Sequence, residues 1–300
     1  MSADSLSAPA LPVESSLPGR PSFLRQLVRR PSGVFSLTVI SILVLLLIFG
    51  PTIAPYTEAQ QDLQHRLEGP SAAHWLGTDH LGRDLLSRLM IGTRVALGTA
   101  FPAVFFALFA GMILGMIAGY VGGWVDNLLL IFFDSLMAFP AIMLALALMS
   151  LLDPSVRNVI LVIAIAYTPG YARIVRAQVL SAKEEQFVEV EQAFGASHLR
   201  ILLVHIIPNI LAPLFILLAM DLPTAITTEA GLSFLGLGVR PPTPSWGVIL
   251  SDGFEKIRTS PWPVLWGALA LMITTLSFTL FGETLRDILD PRLAGSRRTG

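Results

Sequence analysis

Six stretches of this sequence are apolar over lengths that match a lipid bilayer. They cover roughly residues 34–53, 95–119, 128–152, 158–174, 210–228 and 263–281. A helix needs about 20 apolar residues to cross the hydrocarbon core. The fourth stretch is short and carries Pro169 and Gly170, so the even number of spans depends on it. Backbone groups in lipid have no water to bond with, and a helix satisfies them within one segment. The expected fold class is therefore an all-α integral membrane protein with six transmembrane helices.

Composition sharpens what is excluded. Hydrophobic residues make up 53% of the 300 and charged residues 14%, against about 25% charged in an ordinary soluble domain. A soluble globule could not hide that much apolar surface. The net charge of −1 leaves no basic excess to neutralise phosphates, so no nucleic-acid partner is expected. The chain has no cysteine, which removes disulfides, thiol catalysis and Cys-ligated zinc. No 20–50-residue period recurs, which argues against a repeat architecture.

Residues 1–31 are dominated by Ser, Pro and Ala and end in a basic collar, "RQLVRRPS". They read as a disordered tail on the membrane domain 34–283, and residues 284–300 read as a second tail. The apolar stretch that follows is too long, and starts too late, for a cleaved signal peptide. With the N-terminus inside, twelve of the 20 Lys and Arg fall on the inner side: Arg20, Arg25, Arg29, Arg30, Arg173, Arg176, Lys183, Arg200, Arg286, Arg292, Arg297 and Arg298. The positive-inside bias then puts both termini in the cytosol. Segments 54–94 and 229–262 face outward, and 175–208 faces the cytosol.

The polar interruption at 183–209, "KEEQFVEVEQAFGASHLRILLVHIIPN", carries the most information. Phe187, Val190 and Phe194 recur on one helical stripe. Gly195 is suited to end that helix in the left-handed conformation. Ser197 can cap a second short helix through Leu199, Leu202 and Leu203, and Pro208 marks the return into the membrane. The residues alone leave two readings open: a rigid helix–Gly–helix knuckle that transmits force from a soluble partner, or an amphipathic loop lying on the bilayer.

A second polar segment, 74–97, has Gly77 and Gly82 at a turn, with Thr78 or Asp79 as a cap. It continues as an interfacial helix with Asp84 and Arg88 paired at i, i+4, leading into the second span. A third, "AGLSFLGLGVRPPTPSWG" at 230–247, cannot be one continuous helix because of Gly236, Gly238, Pro241 and Pro242. It reads as an outer gate or docking edge that includes Trp246, or as a plain loop. Within the spans, Gly111, Gly115 and Gly119 form a smooth helix face for close packing.

Asp134 and Asp221 are carboxylates inside spans. Each costs roughly 2.5–3.5 kcal/mol to insert at a helix centre and should face protein or water. Asp134 sits near the cytosolic end. Asp221 lies nearer the middle of its span, so it is the better candidate to line a pathway, though a bond to a neighbouring helix explains either residue as well. His65, His74 and His80 gather on the outer side with Asp79. Their spacing defines no metal site, and loop histidines of this kind are expected to be solvated. No G-x-x-x-x-G-K-[ST], H-E-x-x-H or G-x-S-x-G occurs, so the chain has neither a phosphate-binding loop nor a common hydrolase signature.

The spacing from Glu189 to Gly195 to Pro208 resembles the "EAA" loop of bacterial ABC-importer permeases. Val190 and Glu191 stand where that loop usually has two alanines, and His205 where it usually has isoleucine. Residues 74–97, 230–247 and the C-terminal "GETLRDILDPR" at 282–292 resemble the dipeptide/oligopeptide/nickel branch of the same family, in its "C" subunit type. The resemblance spans roughly 74–292.

It implies a type I importer permease of the bacterial plasma membrane, a non-enzymatic subunit that binds no cofactor of its own. A second, homologous permease would share the pathway. Two cytosolic ATPases would hold ATP and Mg²⁺, and an extracytoplasmic solute-binding protein would deliver peptides. Nickel or metal chelates and glutathione are alternative cargoes. Phe187, Val190, Phe194, Ala196 and Leu199 would contact an ATPase groove, with Glu189 as polar anchor and Gly195 as the bend. Two rival readings are a secondary transporter using Asp221 or Asp134 as proton carrier, which leaves the knuckle unexplained, and a membrane-embedded enzyme, which lacks a nucleophile–base pair.

Overall fold

The structure, a computed structural model, describes residues 23–289. The parts of both expected tails beyond these limits, including Arg20, Arg292, Arg297 and Arg298, lie outside the described residues. Helix α1 (Phe23–Val28) leads into α2 (Pro31–Ile53), followed by a long non-helical segment, 54–84. Then come α3 (Leu85–Val121), α4 (Gly123–Met137), α5 (Ala141–Met149) and α6 (Val156–Lys183). The chain continues through α7 (Gln186–Ala193), α8 (His198–Arg200), a π segment (Ile201–Ile206), α9 (Ile207–Phe234), α10 (Trp246–Glu255) and α11 (Trp262–Leu289). Among the described residues the only extended pairing is an isolated bridge, Thr78 to Asp84.

Five helices are long and apolar enough to cross a membrane, namely α2, α3, α6, α11 and the run from His198 through α9. The pair α4 and α5 makes a sixth crossing if counted together. That pair departs from the single span expected over 128–152, because the axis bends by 86° at residues 138–140. Pro140 supplies the reason: it lacks an N–H and pushes Phe139 out of the helical region.

The expected division between an interfacial helix and a second span disappears in α3, which is continuous over 37 residues. At 1.5 Å per residue it reaches about 55 Å, against about 30 Å of hydrocarbon, so it is longer than a perpendicular crossing needs. Its cap is neither Thr78 nor Asp79. The Asp84 carboxylate accepts from the Ser87 N–H at 2.8 Å. The described parts of both expected tails include helix: α1 lies in the first, and α11 runs through 284–289 of the second. Arg30 donates to Asp287 at 2.6 Å, tying the start of α2 to the end of α11.

The core is the pairing of α3 with α6. Gly111, Gly115 and Gly119 let the backbones meet; a Cβ at Gly115 would lie 2.4 Å from the Ala172 carbonyl oxygen. Side chains of Leu97, Ala100, Val104, Val162, Val175 and Val179 are buried along this seam. Close approach of small residues gives dispersion contacts where lipid offers no hydrophobic drive. Helix α9 packs against α3 and α11, and α10 lies against α9, α11 and the first turns of α3.

Candidate functional sites on a permease-type bundle

The knuckle is built by short-range rules. Helix α7 ends at Gly195, whose φ of +78° is open to glycine and strained for other residues. The Ala196 N–H bonds back to the Glu191 carbonyl at 3.0 Å, which closes the helix end. Ser197 then caps α8 through the Arg200 N–H at 3.4 Å. The expected second short helix does not stop: it passes through the π segment directly into α9, and Pro208 falls in the first turn of α9. Proline lacks an N–H and crowds the turn before it, and the turn before it here is the widened π segment.

The sequence stripe and the structural anchor of α7 are different residues. Val188 is the fully buried side chain of this helix. Phe187, Val190, Phe194 and Leu199 are turned outward, Phe194 with 86% of its surface free. Glu189 and Gly195 are exposed and Ala196 is half-buried. The knuckle is nonetheless fastened. The Tyr120 hydroxyl meets His198 Nδ1 at 2.7 Å, and Lys183 Nζ donates to the Tyr120 carbonyl at 3.1 Å. His205 lies 3.4 Å from the Glu191 carboxylate. Tyr120 terminates α3, so the knuckle is pinned to the longest helix of the bundle.

The two intramembrane carboxylates part ways. Asp134 is ion-paired with Arg173 of α6. Asp221, at the midpoint of α9, opens onto a cavity of about 410 Å³ between the α4–α5 elbow, α6 and α9. Leu136, Phe139, Leu144, Tyr167, Tyr171 and Leu217 line it with Asp221. The Tyr171 hydroxyl stands beside the Asp221 carboxylate, without a hydrogen bond of normal geometry. The Tyr167 hydroxyl lies 3.3 Å from Thr228 Oγ1.

At the other end of the bundle, segment 54–84 is held by a buried ionic network. Arg83 Nε donates to Asp79 Oδ2 at 2.6 Å, and Arg83 Nη2 to Asp252 Oδ2 at 3.2 Å. Arg88, almost fully buried, lies 3.4 Å from Asp79 and 3.9 Å from Asp252. Burial raises Asp252 above the usual carboxylate range, opposed by the His80, Arg88 and Arg83 charges. Asp84 is not the partner of Arg88; it caps α3 and meets His74 Nδ1 at 3.0 Å. His74 is thereby buried, unlike the solvated histidine expected. Asp79, His80 and Asp252 come within 4.8 Å of one another. Arg83 bonds both carboxylates, so these three form part of an ion-pair network in place of a metal-ligand set.

The expected docking edge is divided. Gly236 and Pro241 are exposed, and Gly238 is buried against Ser233. Trp246 offers no outer surface: it is 2% exposed, and its indole N–H donates to the Leu89 carbonyl at 3.1 Å, pinning α10 to α3. Gly92 leaves room for that ring. Glu229, absent from the expected site, is buried one turn below this loop and accepts from Ser233 Oγ at 2.7 Å. Its isolated acid in the apolar run "AITTEAGLSF" was the available signal.

Comparison with known proteins fits these features. Residues 22–70 match the N-terminal transmembrane domain of oligopeptide transport permease C. The chain is 41% identical to a dipeptide transport system permease protein of Alkalihalophilus pseudofirmus, over 92% of this chain and 90% of that one. It is 40% identical to a glutathione transport system permease protein of Shigella flexneri, over 91% and 90%. The fold is similar to that of a solved chain of the MetNI methionine ABC transporter in inward-facing conformations. The TM-score is 0.51 at 16% identity, over 67% of this chain and 96% of that one. Residues 111–295 match the family described as binding-protein-dependent transport system inner membrane component. With most of its length so matched, and with a helical bundle of the ABC importer type, the chain belongs to that family of membrane permeases.

Proposed function

We propose that this permease is one half of an ATP-driven importer of dipeptides, oligopeptides or related small solutes in a bacterial inner membrane, with both termini cytosolic. It pairs with a second, similar permease. Two soluble ATPases engage the knuckle, and a solute-binding protein docks at the opposite end over the exposed Gly236–Pro241 edge. The cavity beside Asp221 belongs to the pathway. The similarity to permeases named for dipeptide and for glutathione transport supports a short-peptide cargo.

One observation carries the coupling role. Phe187, Val190, Phe194 and Leu199 are exposed on an elbow fastened to α3 and continuous with α9. An exposed apolar cluster on a rigid mount is what a soluble partner can grip. ATP closure of the partner dimer moves the elbow, and the helices rock between inward-facing and outward-facing states. Such coupling requires the partner to bind the elbow differently in the two states.

The test is uptake of a labelled dipeptide into membrane vesicles holding the whole complex. Uptake should require ATP and survive an uncoupler. Collapse with the uncoupler and indifference to ATP would instead favour a proton-driven carrier working through Asp221. Copurification from native membranes should recover the two ATPases on this chain.

A further inference from the structure

We propose that the cavity beside Asp221 is a transit site for the protonated amino group of the solute. This rests on the pathway reading above and adds its ligand chemistry. Asp221 is at the centre of α9, and Tyr167 and Tyr171 are near the centre of α6, so the site lies at mid-bundle depth. Asp221 is the sole charged side chain on the lining of this 410 Å³ space. The remaining walls are apolar or aromatic, with two tyrosine hydroxyls.

A carboxylate in a membrane span is retained where it faces water or a partner charge. Asp134 has such a partner in Arg173, whereas Asp221 has the cavity and the Tyr171 hydroxyl. An ammonium group suits this lining. It gains an opposite charge, phenol oxygens as acceptors and the faces of aromatic rings, which attract cations. An anionic group would be repelled by the Asp221 carboxylate. The elbow at 138–140 forms one wall, so any change in the α4–α5 angle alters the space available.

The chain has no cysteine, and a Cβ added at Gly170 on the cavity lining meets nothing within 4 Å. Gly170→Cys therefore places a single thiol in the site with little disturbance. The whole transporter in lipid nanodiscs would be treated with trimethylammonioethyl or sulfonatoethyl methanethiosulfonate, and labelling of this chain read by mass spectrometry. Rates are normalised to Thr259→Cys on an exposed loop. The cationic reagent should be favoured roughly tenfold or more, as expected for opposite charges a few ångström apart in protein. Adding Asp221→Asn should bring the ratio back near the loop value, and adding Asp221→Glu should retain the preference. Millimolar dialanine should slow labelling and N-acetyl-dialanine should not.

An unlabelled thiol, a ratio indifferent to Asp221→Asn, or equal protection by both dipeptides would overturn the proposal. The pathway reading is judged separately. If the labelled Gly170→Cys transporter still imports dialanine at the unlabelled rate, the cavity is off the pathway. If import stops but labelling shows no charge preference, the pathway stands and only the amine site fails.

Discussion

At the end of the bundle built from residues 54–84 and α10, charged side chains are turned inward and answer one another. At the knuckle end, large apolar side chains are turned outward, away from the rest of the chain. Arg83, Arg88, Asp79 and Asp252 form a closed network there, and Trp246 locks α10 onto α3. Phe187, Val190, Phe194 and Leu199 stand exposed here. The first end turns its charges toward one another inside the subunit. The second is fastened to α3 and presents exposed apolar side chains.

The largest effect should come from breaking the inward-facing network. Arg83→Ala removes the guanidinium that bonds both Asp79 and Asp252 and should cost about 3–5 kcal/mol. Lower retention of the monodisperse peak after heating in detergent would register it. An unchanged profile would mean that the network does not hold this end together.

The knuckle should show the reverse pattern. Gly195→Pro forces φ to about −65°, away from the +78° of the elbow. Glu189→Lys inverts the charge beside the apolar stripe. Each should lower ATP-driven uptake roughly tenfold or more, the scale of a lost coupling energy, while the amount of membrane-inserted protein stays normal. Normal uptake by both variants would remove the coupling role.

Trp246→Phe keeps the ring in its slot and deletes the bond to the Leu89 carbonyl. A loss of about 1 kcal/mol is expected, read in the same heating assay. Phe194→Ser should change heat stability by no more than about 0.5 kcal/mol, because an exposed side chain supports little within the chain. Copurification of the ATPases should nevertheless fall. Equal loss of stability and partner binding would blur the contrast between the two ends.

The smallest effect is a titration on segment 54–84. Asp62 accepts from His65 at 2.7 Å, which lowers the carboxyl and raises the imidazole from their ordinary values. The pair therefore contributes most between those two values. It fades as pH rises through the raised His65 value, and again as pH falls through the lowered Asp62 value. Asp62→Asn should move the His65 midpoint down, as seen by NMR. Both side chains are about half-exposed, so added salt should shrink the shift.

Much of this architecture is legible in local pattern. Apolar run length marks where helices cross. The Gly111–Gly115–Gly119 spacing marks the seam with α6, and Gly195 with Ser197 marks the elbow. Pairings across the fold are less legible. The i, i+4 rule joins Asp84 to Arg88, but Asp84 has a helix cap to make and Arg88 finds Asp79 and the distant Asp252 instead. The stripe on α7 marks its outward face, but nothing in the pattern singles out Val188 as the side chain that anchors the helix. Trp246 looks like a docking aromatic in a loop until Gly92 and Leu89 are seen to receive it.

By itself the sequence determined that this protein lives in a membrane as helices, that it lacks a nucleotide-binding loop, and that a glycine-broken elbow interrupts its apolar spans. These follow from composition, length and periodicity, all properties of contiguous residues. Only the tertiary structure decided that α3 is one continuous rod and that the third span bends by 86°. It also decided that Asp221 meets a cavity where Asp134 meets Arg173. A carboxylate's role depends on what stands opposite it, and helix rotation, which sets that, is chosen by packing between segments far apart in the chain.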